Sequence, residues 1–319
     1  MSSTAAARSR EQVLAILAEA GESPVPGGSL AERLGCSRDA VYRLVRDLRE
    51  EGVEVVAGQD GYRLAAGQDP VVPLLVHPRL ESPVRGPVRW HRELASTLDL
   101  ASELAREGAP EGTVVGADHL AGGAWADRPG DGLLCSVVLR PPVHAHAAAL
   151  LPIMALVAVA EAVEAKGVEG VALAWPNDVL VAGRKIAGVH CRVATDQDQI
   201  AWAAVGIGLN VRSAPDLAGT HWPSTSLAGC GLHPHRGDVL VAVLVALARR
   251  YRAWISGRSG PGLGSYARRD HLVGRAVRIG TPGGEVAGEA LGLDDLGHLR
   301  VRTPAGEKVV ASGEVLAVR

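Results

Sequence analysis

Between Val171 and Val211 the chain carries four apolar segments, Val171–Ala174, Val179–Val181, Ile186–Ala194 and Ile200–Ile207, separated by very short links. Ala182-Gly183 and Asp196–Gln199 leave no room for a crossover helix, and strands joined so tightly pair antiparallel. That excludes a doubly wound βαβ sheet for this region and predicts an α+β domain with a mixed sheet. The other elements agree. A helix begins at Ser96-Thr97-Leu98-Asp99 and runs to Arg106. Strands are expected at Thr113–Ala117 and Leu133–Leu139, with the glycine-rich loop Ala121–Gly132 between them. An apolar helix lies around Ala147–Ala165, and a last helix spans about Asp238–Ile255. The longest apolar run, Ala147–Ala160, is short for a bilayer and contains Pro152, so it reads as a core helix.

The first 66 residues read as a separate unit. Glu11–Ala20, Leu30–Leu34 and Arg38–Glu51 have helical patterns, with Ser29 and Ser37 as expected caps and Gly21, Gly35 and Gly52 as stops. Val53–Val56 and Tyr62–Leu64 flank Asp60-Gly61, a hairpin signal. Three helices and a hairpin make a winged helix-turn-helix. In the third helix Val41, Leu44, Val45 and Leu48 share the core face. Arg38, Tyr42, Arg43, Arg46 and Arg49 lie outside it, as a helix entering a DNA groove requires. The same face also suits plain solvation or a dimer contact. Acidic residues outnumber arginines in the segment, so any DNA attraction is local.

Residues 67–87 are proline-rich and read as a semi-rigid linker, 88–270 as the central domain, and 271–319 as a small C-terminal β-barrel of short strands between Gly/Pro turns. The whole chain has 33 Lys plus Arg against 35 Asp plus Glu, a balance that gives no global pull toward nucleic acid or membrane. Cys36, Cys135, Cys191 and Cys230 are scattered without a CxxC pair, which points to free thiols in a reducing, cytoplasmic setting. His144 and His146 lack an evident third ligand, so no protein metal site is assigned.

The sharpest motif is Trp175-Pro176-Asn177-Asp178 followed by Lys185-Ile186-Ala187-Gly188. A turn at a strand end there brings an amide, a carboxylate and an ammonium to one cleft. Gly206-Ile207-Gly208-Leu209-Asn210 ends another strand, and its glycines permit close backbone approach to a ligand. Plainer readings stand beside these. Ser96 with Asp99 fits a capping box, Asn177-Asp178 fits an Asx-type turn, Trp175 fits the core, and Asn210 fits a turn.

WPND, KxAG and GIGLN in this order and spacing resemble the biotin protein ligases. With the winged helix in front, the match is to their BirA-type members, which double as biotin-operon repressors. The resemblance spans essentially the whole chain and implies a class II synthetase-like catalytic domain and an SH3-like C-terminal barrel. It implies an ATP-dependent ligase that makes biotinyl-AMP from biotin and ATP with Mg2+ and then modifies a lysine of a biotin carboxyl carrier protein. It also implies a biotin-responsive repressor that binds operator DNA as a homodimer, away from membranes. Carried over by position, Lys185 contacts the biotin carboxylate and the adenylate phosphate. Asn177 and Asp178 lie near nucleotide and magnesium, with Trp175 and Gly188 in the same motifs. Ser96 and Thr97 belong to the biotin pocket, Asn210 to the GxN turn, Gly122 and Gly123 to the adenylate loop, and Arg38–Arg49 to the recognition helix. The chain departs from the family pattern at Leu98, Leu120, Ala174 and Arg192, and it has no Arg between Asp118 and Arg128 where an Arg-rich loop is usual. Those departures leave two alternatives open: a ligase-inactive, ligand-sensing regulator, and a relative that handles another acyl group such as lipoate.

Overall fold

The computed structural model describes residues 3–121, 128–215, 221–258, 260 and 262–319. They divide into two compact units: residues up to Arg79 together with His235–Gly237, and Leu80–Pro234 together with Asp238–Arg319.

In the first unit α1 (Ser3–Ala20), α2 (Gly27–Leu34) and α3 (Arg38–Glu50) precede a hairpin of β1 (Val55–Gly58) and β2 (Gly61–Leu64). Val13, Leu17, Leu30, Val41, Val45, Leu48, Val55 and Leu64 form the core, with Leu44 half-buried against it. The amphipathic spacing of α3 therefore sets how it packs. Ser37 caps α3, its hydroxyl accepting from Ala40 N–H at 3.2 Å. Ser29 is not a cap: α2 starts two residues earlier, after Pro26, whose fixed φ of −59° suits a helix entry. At Gly61 φ is +129°, and a Cβ would stand 2.1 Å from the Val25 carbonyl oxygen, so the hairpin needs glycine there. The stretch read as a linker is packed in its first part: α4 (Pro73–Val76) follows buried Val71 and Val72.

The second unit is built on a seven-stranded sheet. Its strands are β3 (Val88–Leu94), β4 (Val114–Leu120), β5 (Gly132–Leu139), β6 (Val171–Ala174), β7 (Asp178–Val181), β8 (Arg184–Asp196) and β9 (Gln199–Asn210), in the order β3-β4-β5-β9-β8-β7-β6. Every pairing is antiparallel except β3 with β4. The mixed sheet is the predicted one, with β3 added. That strand reads Val-Arg-Trp-His-Arg-Glu-Leu, and as an edge it keeps charged side chains in water, which hides it from an apolar pattern search. α5 (Thr97–Arg106) packs on β4, β5 and β9 through Ala101, Leu104, Val115, Val138 and Ala204.

α6 (Leu150–Glu164) is long and apolar enough, with the turn before it, to meet the composition test for a membrane span. Burial decides the matter: every residue from Ile153 to Ala160 is buried within this unit, so α6 is a core helix. Burial also pushes the Cys135 and Cys191 thiols up to about 12, and all four cysteines are free.

α7 (Arg236–Ile255) and α8 (Leu263–Ala267) lead to the C-terminal strands β10 (Ala276–Thr281), β11 (Gly284–Leu293), β12 (Leu299–Thr303), β13 (Gly306–Val310) and β14 (Glu314–Val318). They pair antiparallel in the order β13-β12-β11-β10-β14. The expected small barrel is thus a five-stranded sheet whose end strands, β13 and β14, do not pair with each other.

Trp90 lies across Gly116 on the neighbouring strand, where an added Cβ would be 2.0 Å from the indole ring, and its Nε1–H donates to Asp118 at 3.0 Å. A methyl there must displace the ring. Gly116→Ala is expected to cost about 1–3 kcal/mol, read as a lower urea midpoint for the second unit. Gly264→Ala, where the new Cβ meets nothing within 4 Å and the backbone is not at positive φ, is the control.

Candidate functional site

A cavity of about 610 Å³ opens in the second unit over β8 and β9. Its making begins at the β6–β7 hairpin. Ala174 pairs with Asp178, and the Trp175–Pro176 peptide between them is cis. The tight turn throws Asn177 and Asp178 toward β8, where the second hairpin, through Ala182 (φ 50°) and Gly183 (φ 73°), returns the chain at Arg184.

Lys185 is fixed from both sides. Its backbone N–H donates to Pro223 O at 2.7 Å, and its carbonyl accepts from Thr225 N–H at 2.8 Å. Arg184 also holds Ser224 O, so the 221–227 segment is stitched along the start of β8. The Lys185 ammonium lies 2.5 Å from an Asp178 carboxylate oxygen, and each side chain is only 13% exposed. So close a pair, largely removed from water, holds both side chains in place. It also means that the lysine's charge is matched before a ligand arrives.

Among the sequence-derived candidates, Ser96, Thr97, Asn177, Asp178, Lys185 and Gly188 line this cavity. Ser96 serves its capping role too, accepting from Asp99 N–H at 3.1 Å, so capping is compatible with its place on the cavity wall. Thr97 Oγ1 accepts from the buried Ser136 hydroxyl at 2.9 Å.

Trp175 and Asn210 do not line it. Trp175 is 3% exposed and belongs to the core. Asn210 is 1% exposed, and its amide N–H donates to Thr225 O at 2.8 Å. It braces the segment that runs beside Lys185 and acts on the cavity from behind. Gly122 and Gly123 lie outside the described residues.

The glycines of the Gly206–Asn210 run, singled out in the sequence, line the cavity too, and other residues join them that spacing alone did not reveal. Gly206 and Gly208 form part of the floor, Leu98, Leu120 and Leu134 supply apolar walls, and His190 stands two residues past Gly188 on β8. His221, Trp222 and Glu314 arrive from distant segments. The i, i+2 spacing of Gly188 and His190 on a strand was the available signal for His190. Burial, aided by Lys185, holds the His190 imidazole below its ordinary range despite Asp178 nearby. His91 and His271 are lowered by burial as well. Among the described residues no three His, Cys, Asp or Glu form a metal-binding group.

On the first unit, α3 presents Arg38, Tyr42 and Arg43 to solvent, with Tyr42 60% exposed. Arg46 is exposed but paired with Asp47 and Glu50 on its own helix. Arg49 is committed to the fold: its Nε–H and Nη2–H donate to Val55 O at 2.9 and 2.7 Å, tying the helix to the hairpin.

Three family descriptions match this chain: an HTH domain over residues 9–63, the biotin/lipoate A/B protein ligase family over 94–210, and the biotin protein ligase C-terminal domain over 272–316. The bifunctional ligase/repressor BirA of Bacillus subtilis is 31% identical, covering 96% of this chain and 98% of that protein. The biotin–[acetyl-CoA-carboxylase] ligase of Mycobacterium tuberculosis is 31% identical over 70% of this chain and 86% of its own. Among solved structures, the Aquifex aeolicus biotin protein ligase in complex with biotin and ATP superposes with a TM-score of 0.60 at 25% identity, covering 73% of this chain and 98% of that one.

The lowered histidines set a pH dependence. The ordinary imidazole value is 6.5, and the folded values lie below it. In the window between, the unfolded chain binds protons that the folded chain does not, so stability falls as pH drops through 6.5. Urea midpoints between pH 7.5 and 5.5 should show that fall, and His190→Gln should make it shallower.

Proposed function

This chain belongs to the biotin protein ligases of the bifunctional ligase/repressor BirA type, and on that premise we propose how its own residues perform the two activities. The carrying observation is one cavity lined together by Lys185, Asp178, Asn177, Ser96 and Thr97, over a glycine floor.

In the first step a biotin carboxylate oxygen attacks the α-phosphorus of ATP. A P–O bond forms, pyrophosphate leaves, and biotinyl-AMP results. In the second, a carrier-protein lysine amine attacks the acyl carbon, the C–O bond to phosphate breaks, AMP leaves with the electron pair, and the new amide nitrogen gives up a proton to water. Free carboxylate is a poor acyl donor, and adenylation gives it a good leaving group. The chain's task is to hold two anions together and to spread the charge that grows on phosphate. Lys185 is the cation placed for both anions. Asp178 holds that ammonium in position, and Asn177 offers an amide beside it. Apolar walls from Leu98, Leu120 and Leu134 exclude water from the ring end. The Asp178 carboxylate is a hard oxygen donor that fits Mg2+ carried mainly by nucleotide phosphates, as this ion prefers; when bound it neutralises phosphate charge.

The winged helix binds operator DNA, with Arg38, Tyr42 and Arg43 as the groups free to face it. Binding as a homodimer to paired half-sites follows the usual economy of such heads, and action in the cytoplasm fits the carrier protein and the free thiols.

A second reading has an observation of its own. The Lys185 charge is already matched by Asp178, and the sequence has no Arg between Asp118 and Arg128. A regulator that binds ligand without ligating would look like this. Incubation with biotin, ATP and Mg2+, followed by mass spectrometry, separates the two: biotinyl-adenylate is expected, and its absence with biotin still bound selects the regulator. Lys185→Ala is expected to lower kcat/KM for labelled-biotin transfer to a carrier domain about 10²–10³-fold. For the head, Arg43→Ala should weaken binding to random-sequence DNA at low salt, reduce the salt slope by about 1, and leave biotin transfer unchanged.

A further inference from the structure

The cavity floor is mostly backbone. Register across β5, β9 and β8 sets two rows on one face of the sheet: Leu134–Gly208–Gly188 and, next to it, Ser136–Gly206–His190. With glycine at three of these six positions, the middle of the floor is a trough without side chains. It is narrow at Gly206, where a Cβ would stand 3.3 Å from Ser136 Oγ and 3.4 Å from Leu98 Cδ1. The third row, Val138–Ala204–Arg192, is roofed by α5: Val138 and Ala204 are in its core cluster, and Arg192 pairs with Asp99. A flat ring entering the trough therefore stops against the second row. There it meets Ser136 and Thr97 on the β5 side and His190 on the β8 side.

Asn177 decides what His190 can offer. The Asn177 amide nitrogen lies 3.3 Å from His190 Nε2. In this amide orientation the nitrogen donates, so Nε2 accepts and the neutral ring carries its proton on Nδ1. Burial and the neighbouring Lys185 favour the same neutral form.

We propose that His190 is a specificity-determining residue for the acyl ligand, its neutral ring set by Asn177 as an Nδ1–H donor to a carbonyl-type oxygen of a ring seated in the glycine trough. The inference rests on the reading of this cavity as a biotin site, since the cyclic urea of biotin supplies such an oxygen. Leu98 and Leu120 make the need acute, because a carbonyl enclosed by leucine loses its water and must find a donor. A site built around such a hydrogen bond also rejects a ligand that lacks the partner atom. Lipoate has the same carboxylate tail and no ring carbonyl.

The test is calorimetric titration of the full chain with biotin and, separately, with lipoate, using wild type, His190→Leu and His190→Gln. His190→Leu is expected to weaken biotin binding about tenfold or more, raise KM for biotin with little change in kcat, and leave lipoate binding unchanged or stronger. His190→Gln, which keeps an N–H donor, should recover part of the biotin affinity. Imidazole 15N spectra of the free protein should show Nδ1 protonated and Nε2 bare. Three results overturn the proposal: His190→Leu binding biotin as tightly as wild type, His190→Leu losing both acids equally, or an Nε2–H tautomer. Wild type that binds no biotin at all sinks the biotin reading and this assignment with it, a result distinct from the other three.

Discussion

Everything at the candidate site depends on the β8–β9 ladder holding register. Because side chains alternate along a strand, a slip of one residue would exchange Gly188, His190, Gly206 and Gly208 for Val189, Cys191, Ile207 and Leu209. The trough would fill with branched side chains and the cavity would close. The ladder is long, from Ala187 opposite Leu209 to Asp196 opposite Gln199, and its far face is pinned by buried Val189, Val205 and Ile207. Register is thus a consequence of core burial on one side, and the glycine floor on the other side inherits it.

The charged end rests on the same framework by a different route. Lys185 sits at the first residues of β8, where its backbone is bonded to the 223–225 segment and its side chain to Asp178 across the β7–β8 hairpin. Asn210, at the last residue of β9, braces that segment through Thr225. The polar residues at the two ends of β8 and β9 therefore share one loop. This explains why an asparagine that touches no cavity surface stands where it does; in the proposed ligase the carboxylate opposite Lys185 serves to orient the ammonium. An incoming anion meets an ammonium already oriented, which lowers the cost of reorganising it during reaction.

Local signals made much of this legible in the sequence. Short links between Val171 and Val211 dictated antiparallel hairpins, and WPND with KxAG placed Asn177, Asp178, Lys185 and Gly188 at one cleft. The face of α3 could be read from its heptad-like spacing, yet spacing could not say that Arg49 is spent on Val55 O. Polar edge strand β3 escaped because it lacks an apolar pattern. His190 escaped because its importance comes from Asn177 on the β6–β7 turn and Gly206 across on β9, and contacts between strands are not a local property. His221, Trp222 and Glu314 reach the cavity from segments far along the chain, which periodicity cannot show. Trp175 and Asn210 were overread for the opposite reason: each lies within a motif whose neighbours face the ligand while its own side chain is turned into the protein.

In the proposed ligase a carboxylate-bearing ring lies on the glycine floor with its acid group at Lys185. A crystal structure of the full chain grown with biotin and ATP tests it most directly. The expected density covers Gly188, Gly206 and Gly208, with the acyl oxygen at the Lys185 ammonium. Density for biotin elsewhere on the protein, or a trough filled by the protein's own Leu98 and Leu120 with both ligands in excess, would contradict it.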